Sequence, residues 1–153
     1  MAGLQRFENW PELLAGFLAQ HANTPFEWGR QDCALFACDA IHIMTGVDLA
    51  ESFRLQYQSA LGASKQIQKA LVGMGGNPFG GLEELALRVC LANGMEEIPV
   101  ELAGRGDLLL GKTALDYPAL GIVDVHGTTG VFVGVVGLRR MGIRECEHAW
   151  RVG

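Results

Sequence analysis

The chain has 153 residues, of which 49% are hydrophobic and 19% are charged, and its formal net charge is −5. This composition is typical of a folded chain with a buried core, and no apolar run is long enough to span a bilayer. The negative charge argues against nucleic-acid binding as a main role. We predict a single domain over residues 1–153, and we expect no export signal because the first ten residues lack an apolar core.

The first part of the chain predicts two helices, of which the second is central. Asn9 and Glu12 have the spacing of a capping box, and an apolar face at helical spacing follows them. Pro25 ends this first helix. The second helix is expected from about residue 32 to residue 44. It is apolar on nearly all sides, which is typical of a buried helix, and Gly46 follows as its stop.

Three further helices and then a sheet are predicted. The helices cover about 48–57, 64–71 and 82–93, and a glycine-rich loop at 73–81 separates the last two. Short apolar segments with a good hairpin turn among them predict four strands, at 106–110, 119–125, 131–136 and 149–152. This order predicts an α+β fold, in which N-terminal helices pack on a C-terminal antiparallel sheet.

The segment from Trp28 to Phe36 holds the strongest chemical signal, because it places a cysteine directly after a glycine turn and a polar pair. Asp32 is a good cap for the helix that follows, and Cys33 is then expected as the first helical residue. The positive end of the helix dipole favours a thiolate there, and the thiolate is a nucleophile. The alternative is that Cys33 is a small apolar residue that packs its helix.

The other cysteines and the histidines do not favour a metal site. Cys38, Cys90 and Cys146 form no C-x-x-C pair with Cys33, and the four histidines are scattered along the chain. A cluster of all four cysteines stays open, but no spacing points to it. We therefore predict cysteines that are reduced at synthesis, no metal and no cofactor.

Five motifs follow one another along the chain: W-G-x-x-D-C-A-L-F, T-G-x-D, R-G-D, L-G-I-V-D and C-x-x-A-W-R, at 28–36, 45–48, 105–107, 120–124 and 146–151. Their order resembles the NlpC/P60 branch of papain-like hydrolases. It is most similar to small NlpC/P60-like proteins encoded in the tail modules of tailed bacteriophages and prophages. The resemblance covers most of the chain, and it implies a papain-like fold of the NlpC/P60 type.

The chain departs from this family at the catalytic base. In active NlpC/P60 enzymes a histidine immediately before the V-G-I-Y strand takes the proton from the cysteine, and the matching residue here is Ala119. In the same enzymes a polar residue near the end of the next strand orients this histidine. The matching segment here, 131–136, is wholly apolar. A cysteine needs an adjacent base for efficient acyl transfer. His126, just past the strand, is a candidate for a displaced base, and its alternative is a solvated turn residue.

Three functions are compatible with the sequence. The resemblance, together with the missing catalytic histidine, favours a structural or assembly component of a phage tail tip or baseplate. Such a protein would be made in the host bacterial cytoplasm and located in the virion tail. Its partners would be other tail-tip or hub proteins. The alternative is an active cysteine peptidase or amidase that cleaves host peptidoglycan during DNA injection, with Cys33 as nucleophile and His126, or a neighbouring subunit's histidine, as base. The third is a small bacterial binding module of papain-like shape.

Overall fold

Residues 3–113 and 116–153 are described by a computed structural model, in which four helices precede a six-stranded antiparallel sheet. The helices α1 to α4 cover Trp10–His21, Leu35–Thr45, Ala60–Gly73 and Gly81–Ala92. The strands β1 to β6 cover Glu97–Ile98, Leu108–Lys112, Pro118–Val123, Thr129–Val133, Leu138–Gly142 and His148–Trp150. The predicted α+β class, with helices first and the sheet last, is confirmed. None of the helices in the described ranges is long and apolar enough to cross a membrane.

The strands of the sheet do not follow chain order. The order is β1-β6-β2-β3-β4-β5, and neighbouring strands are antiparallel. β2 and β3 pair along their length, from Leu108 opposite Ile122 to Lys112 opposite Pro118. The C-terminal strand β6 lies between β1 and β2, with Ala149 opposite both Ile98 and Leu109. The last motif of the chain is therefore built into the interior of the sheet.

The sheet is covered on both faces, and α2 is the centre of the larger core. On the helix side, a cluster formed with α1, α2 and α4 includes Leu108, Leu110, Leu120, Ile122 and Trp150. Eight of the 11 residues of α2 are buried, which confirms the expected central helix. On the opposite face, the short 3-10 segments Val100–Leu102 and Ile143–Glu145 cover a second cluster that includes Leu109, Ala119, Val123, Phe132 and Ala149.

The start of α2 differs from the prediction. The helix begins at Leu35 with Ala34 at the N-cap position, so Cys33 lies in the turn before the helix and the prediction of a first helical residue is wrong. Asp32 nevertheless satisfies the helix start, because its Oδ1 accepts the N–H groups of Ala34 at 3.0 Å and Leu35 at 2.9 Å. Gly46 ends the helix in a left-handed conformation, with φ of 80°, as predicted.

Three other predicted features differ from the structure. The segment 48–57 forms turns and not a helix, and Arg54 pairs there with the carboxylates of Asp48 and Asp39. The Asn9 side chain makes no cap bond to α1, so the expected capping box is absent. α3 starts at Ala60, capped by the Ser59 hydroxyl, and not at residue 64.

Candidate functional site

Cys33 lies between the start of α2 and strand β3. Its carbonyl oxygen accepts a hydrogen bond from the Leu120 N–H at 2.7 Å. Its half-buried side chain packs against both core clusters of the sheet. Ala119, which matches the histidine of the resembled family, belongs to the second of these clusters and is 4% exposed. The residue next to Leu120 that would supply a base to Cys33 is therefore a buried alanine.

The surroundings of the Cys33 thiol disfavour its ionised form. Burial, and then the charge of the neighbouring Asp32 carboxylate, raise the pKa of this thiol to about 12. Because Cys33 precedes α2, it does not occupy the first-turn position at which the helix dipole acts most strongly. The thiolate that the sequence predicted is therefore not favoured at neutral pH, and the arrangement fits the alternative of a packing cysteine.

Asp32 joins three segments around the cysteine. Its carboxylate has no exposed surface, and besides the two N–H groups of the α2 start it accepts the Gly29 N–H at 2.9 Å. The Tyr57 hydroxyl donates a fourth hydrogen bond to it at 2.6 Å. These bonds occupy both carboxylate oxygens and connect the glycine turn, the helix start and the segment that follows α2. Asp32 thus holds the fold around Cys33 together.

Gln31 is a residue of this site that sequence reasoning missed. It is 4% exposed, and its amide Nε2 is buried without a hydrogen-bond partner among residues 3–113 and 116–153. An unpaired buried donor costs free energy, so this amide is a polar group of the turn that the described residues leave unsatisfied. No spacing or motif in the sequence marks this glutamine, because burial is decided by packing.

The structure does not bring His126 to Cys33. Leu120, which contacts Cys33, and Val123 at the end of β3 are separated by about 10 Å of strand, and His126 lies beyond that end in the turn. His126 lines a groove beside α1 together with Ala15 and Ala19. The hypothesis of a displaced base at this histidine therefore has no geometric support within one copy of the chain.

The aspartates of the two strand motifs have structural partners. Asp107 accepts hydrogen bonds from the N–H groups of Gly104 at 2.9 Å and Val152 at 3.0 Å, and it pairs with Arg6 at 2.9 Å. The bond from Gly104 closes the turn that leads into β2. Asp124 accepts the Thr128 N–H at 2.9 Å and pairs with Arg140 at 2.8 Å. Both carboxylates are nearly fully buried and serve the fold.

An aromatic ring fills the outer face of the sheet, where the resemblance places a polar partner for the base. Phe132 is 2% exposed, and a Cβ added at Gly121 would lie 2.5 Å from its ring. The same ring also approaches Gly111 on β2 and Gly130 on its own strand, β4. A side chain of this size in contact with three glycines makes the region a packed apolar layer.

A second group of polar side chains lies near the edge of the sheet that β1 forms. The His148 ring binds Glu97 through Nδ1 at 2.8 Å and Glu83 through Nε2 at 3.3 Å, and it stacks on Trp150. Ligand atoms of Glu83, Glu147 and His148 lie within 4.8 Å of one another, which is a spacing that metal ligands can have. Glu83 and Glu97 pair with the imidazole, and Glu147 pairs with Lys112 at 3.2 Å, so these ion pairs account for the arrangement.

The four cysteines are free, and the structure does not gather them into one site. Cys146 belongs to the second cluster, on the face of the sheet opposite the helices, whereas Cys38 lies on α2 and Cys90 on α4. Burial raises the pKa of the Cys38 and Cys90 thiols to about 12. The cluster of four cysteines that the sequence left open is therefore not formed.

Comparison with known proteins gives a family for nearly the whole chain. The sequence model of DUF6950, described as a domain of unknown function, matches residues 5–152. The chain belongs to the DUF6950 family. No curated protein matches the chain at a significant level. The DUF6950 match includes Asp32, Cys33, Ala119 and Phe132, so the site described above belongs to the domain that defines the family.

Proposed function

We propose that this DUF6950 protein is a structural or assembly component of a bacteriophage tail tip or baseplate, on an NlpC/P60-like fold without its catalytic base. The observation that carries the proposal is the apolar surrounding of Cys33, in which Ala119 is buried at the position of the base. The phage assignment itself rests on the order of the five sequence motifs, which resembles proteins of phage tail modules.

The arrangement of the motifs in space supports the likeness to NlpC/P60 proteins. The R-G-D segment leads into β2, and the L-G-I-V segment forms most of β3, which pairs with it. The cysteine segment contacts β3 through the hydrogen bond from Leu120 to Cys33. A cysteine before the central helix, beside the strand that would carry the base, is the arrangement that the resemblance implies.

The chemistry around Cys33 supports a role without catalysis. Acyl transfer by a cysteine requires a thiolate and a base that accepts its proton. Here the pKa of the Cys33 thiol is raised to about 12, and the nearest strand offers Ala119 and Leu120. A fold retained without its chemistry is suited to binding or assembly, because function is determined by the site and not by the fold.

Exposed apolar side chains supply surfaces for partner proteins. Phe79, in the glycine-rich loop between α3 and α4, is 81% exposed. Val135 and Val136, in the turn between β4 and β5, are 81% and 83% exposed. Large apolar side chains left in solvent are typical of contact sites, and we assign these two loops to contacts with neighbouring tail-tip or hub proteins.

The test is genetic complementation in a prophage that encodes the protein. Deletion of the gene should abolish mature tails, and the protein should be found by mass spectrometry in purified tails. A Cys33→Ala variant should restore infectious particles to within about twofold of wild type, because no thiol chemistry is needed. Cys146→Ala, which changes a buried cysteine away from α2, is the matched control.

Two results would contradict the proposal. If Cys33→Ala assembles normal tails that do not infect, and the purified wild-type protein releases peptides from peptidoglycan, the protein is a cysteine peptidase or amidase. If deletion leaves tails intact and the protein is missing from them, the tail role is wrong and a free binding module takes its place.

A further inference from the structure

An apolar cavity lies between α2, α3, α4 and the segment that follows α2. Its volume is about 70 Å³, or about 610 Å³ when all the space out to its open mouth is counted. Its lining includes Cys38, Ala63, Ile67, Leu82, Ala86 and Cys90. Every described residue of the lining is uncharged. The cavity lies against the segment of Cys33, since Ala34, Leu35 and Leu120 belong to its lining. A ligand of this cavity is a function beyond the tail-tip proposal.

Such a space is unusual in a core. Protein interiors pack as closely as organic crystals, and an empty cavity costs stability because its lining loses contacts. One water needs about 15 Å³ of such volume, so several water molecules would fit into the cavity by size. Buried water needs two to four polar partners, however, and the Tyr57 hydroxyl on this lining already donates to Asp32 at 2.6 Å. The thiols of Cys38 and Cys90 are weak partners.

The cavity opens between α3 and α4, whose residues Ala63, Ile67, Leu82 and Ala86 line it. It shares Ala63, Ile67 and Leu82 with a neighbouring groove that runs outward past Phe79 and Pro118. The cavity and the groove together form a path that continues from the core to the surface, and such a path suits a linear chain better than a compact ring. The groove also contains the polar side chains of Ser64 and Gln68, which lie on the surface side of the path.

We propose that this cavity binds one linear alkyl or acyl chain, which enters between α3 and α4. The alkyl or acyl chain of the ligand fills the space beside Ala63 and Ala86, whose small side chains leave this space open. Its polar head stays in the outer groove, where Ser64 and Gln68 offer hydrogen bonds. Each methylene transferred from water into the cavity should strengthen binding about fourfold, which corresponds to ~0.8 kcal/mol.

The test is a titration of the full chain with octanoate, decanoate and dodecanoate, below the concentrations at which they form micelles. Calorimetry should show one site, with affinity rising about fourfold per methylene until the cavity is full. The methyl NMR signals of Ala63, Ile67 and Leu82 should shift on addition of decanoate. Absence of binding by all three acids to the folded protein would overturn the proposal.

Matched alanine substitutions on α4 locate the site. Ala86→Leu puts a larger side chain into the cavity and should weaken decanoate binding at least tenfold, whereas Ala92→Leu, on the exposed side of the same helix, should leave it unchanged. Ala63→Leu, on the opposite wall, gives the same test if Ala86→Leu does not fold. Equal effects of the cavity and surface substitutions, or tighter binding of compact adamantanol than of decanoate, would contradict a linear chain in this cavity.

Discussion

Asp32 is a carboxylate with no exposed surface, and its two oxygens accept four hydrogen bonds from three segments of the chain. The neighbouring cysteine, by contrast, makes its polar contact through its backbone carbonyl and uses its side chain for packing. A motif that resembles a nucleophile site is thus explained here by the needs of a turn and a helix start. The turn also requires Gly29, since its φ is 82° and an added Cβ would lie 2.5 Å from the Tyr57 carbonyl oxygen.

Replacing Asp32 should test this structural role. Asp32→Ala leaves the N–H groups of Gly29, Ala34 and Leu35 unpaired in a buried place, so the free energy of unfolding should fall by about 3–5 kcal/mol. Tyr57→Phe removes one of the four bonds and should cost about 1 kcal/mol. Urea unfolding measures both. Equal small losses would show that the carboxylate is not the centre of the turn.

The reactivity of Cys33 should be that of a packed thiol. With its pKa raised to about 12, alkylation by iodoacetamide at pH 8 should be at least about 100-fold slower than that of free cysteine. The rate should increase about tenfold per pH unit as the thiolate fraction grows. Peptide-resolved mass spectrometry measures it, and labelling in urea is the control, in which all four cysteines should react alike. Rapid labelling of Cys33 in the folded protein at pH 7 would contradict this prediction and support Cys33 as a nucleophile.

At the scale of elements, the contact between β3 and β4 explains why a histidine placed at residue 119 would not restore the site that the NlpC/P60 resemblance implies. Phe132 projects from β4 over Gly121 of β3, and the same ring lies against Gly111 of β2. Alternation along a strand puts Ala119, Gly121 and Val123 on this outer face, so a histidine at 119 would enter an apolar layer. A packed apolar face thus occupies the position at which the resemblance places a base.

A Gly121→Ala substitution should reveal how tight this layer is. The added methyl would lie 2.5 Å from the Phe132 ring, so we expect a loss of about 1–3 kcal/mol of unfolding free energy. Phe132→Leu in the same chain should recover part of that loss. The control is Gly16→Ala on the exposed side of α1, which meets no atom within 4 Å and should gain about 0.5–1 kcal/mol. Equal effects of the two glycine substitutions in urea unfolding would contradict the packed layer.

At the scale of the whole molecule, two polar centres fasten distant parts of the chain. Asp107 binds the Arg6 side chain and the Val152 N–H, so it connects both ends of the domain to the start of β2. His148 on β6 reaches Glu97 on β1 and Glu83 on α4, and so connects the sheet edge to the helices. Contacts of such sequence separation form only when the fold is complete, and they should contribute to cooperative unfolding.

The His148 contacts predict a pH dependence of stability. Burial lowers the pKa of this imidazole, but hydrogen bonds to Glu97 and Glu83 raise it above its ordinary value overall. A folded pKa above the unfolded value of about 6.5 stabilises the protein fully below that pH, and the contribution is lost as pH rises through the folded pKa. Because both carboxylates are exposed, we expect about 1 kcal/mol or less.

The measurement is urea unfolding of wild type and His148→Gln between pH 5 and pH 9. The variant should lack the part of the pH dependence that wild type shows above about pH 6.5. His42→Gln, at an exposed position of α2, is the matched control and should keep the wild-type profile. Identical profiles for wild type and His148→Gln would show that the ion pairs contribute nothing measurable.

Prediction from the sequence succeeded where a local pattern decides the structure. The apolar character of α2 and its glycine stop, the span of α4, and four segments that overlap β2, β3, β4 and β6 were all predicted. It failed where distant partners decide. The turns at 48–57 contain an arginine that pairs with Asp39 on α2, and β5 contains Arg139 and Arg140, which conceal a strand pattern. β1, with two residues, is too short to carry a pattern.

The sequence by itself determined the α+β class, the central helix and the presence of a cysteine beside a helix start, because helical and strand periodicities are local properties. Only the tertiary structure decided what that cysteine is. Whether a thiol ionises depends on the groups around it. Asp32 is its neighbour in the sequence, but the burial that raises its pKa most comes from packing, which places an apolar layer and not an imidazole beside it. Ala119 and Phe132 of that layer are separated in sequence, and they join the cluster against which Cys33 packs only through the pairing of β3 with β4.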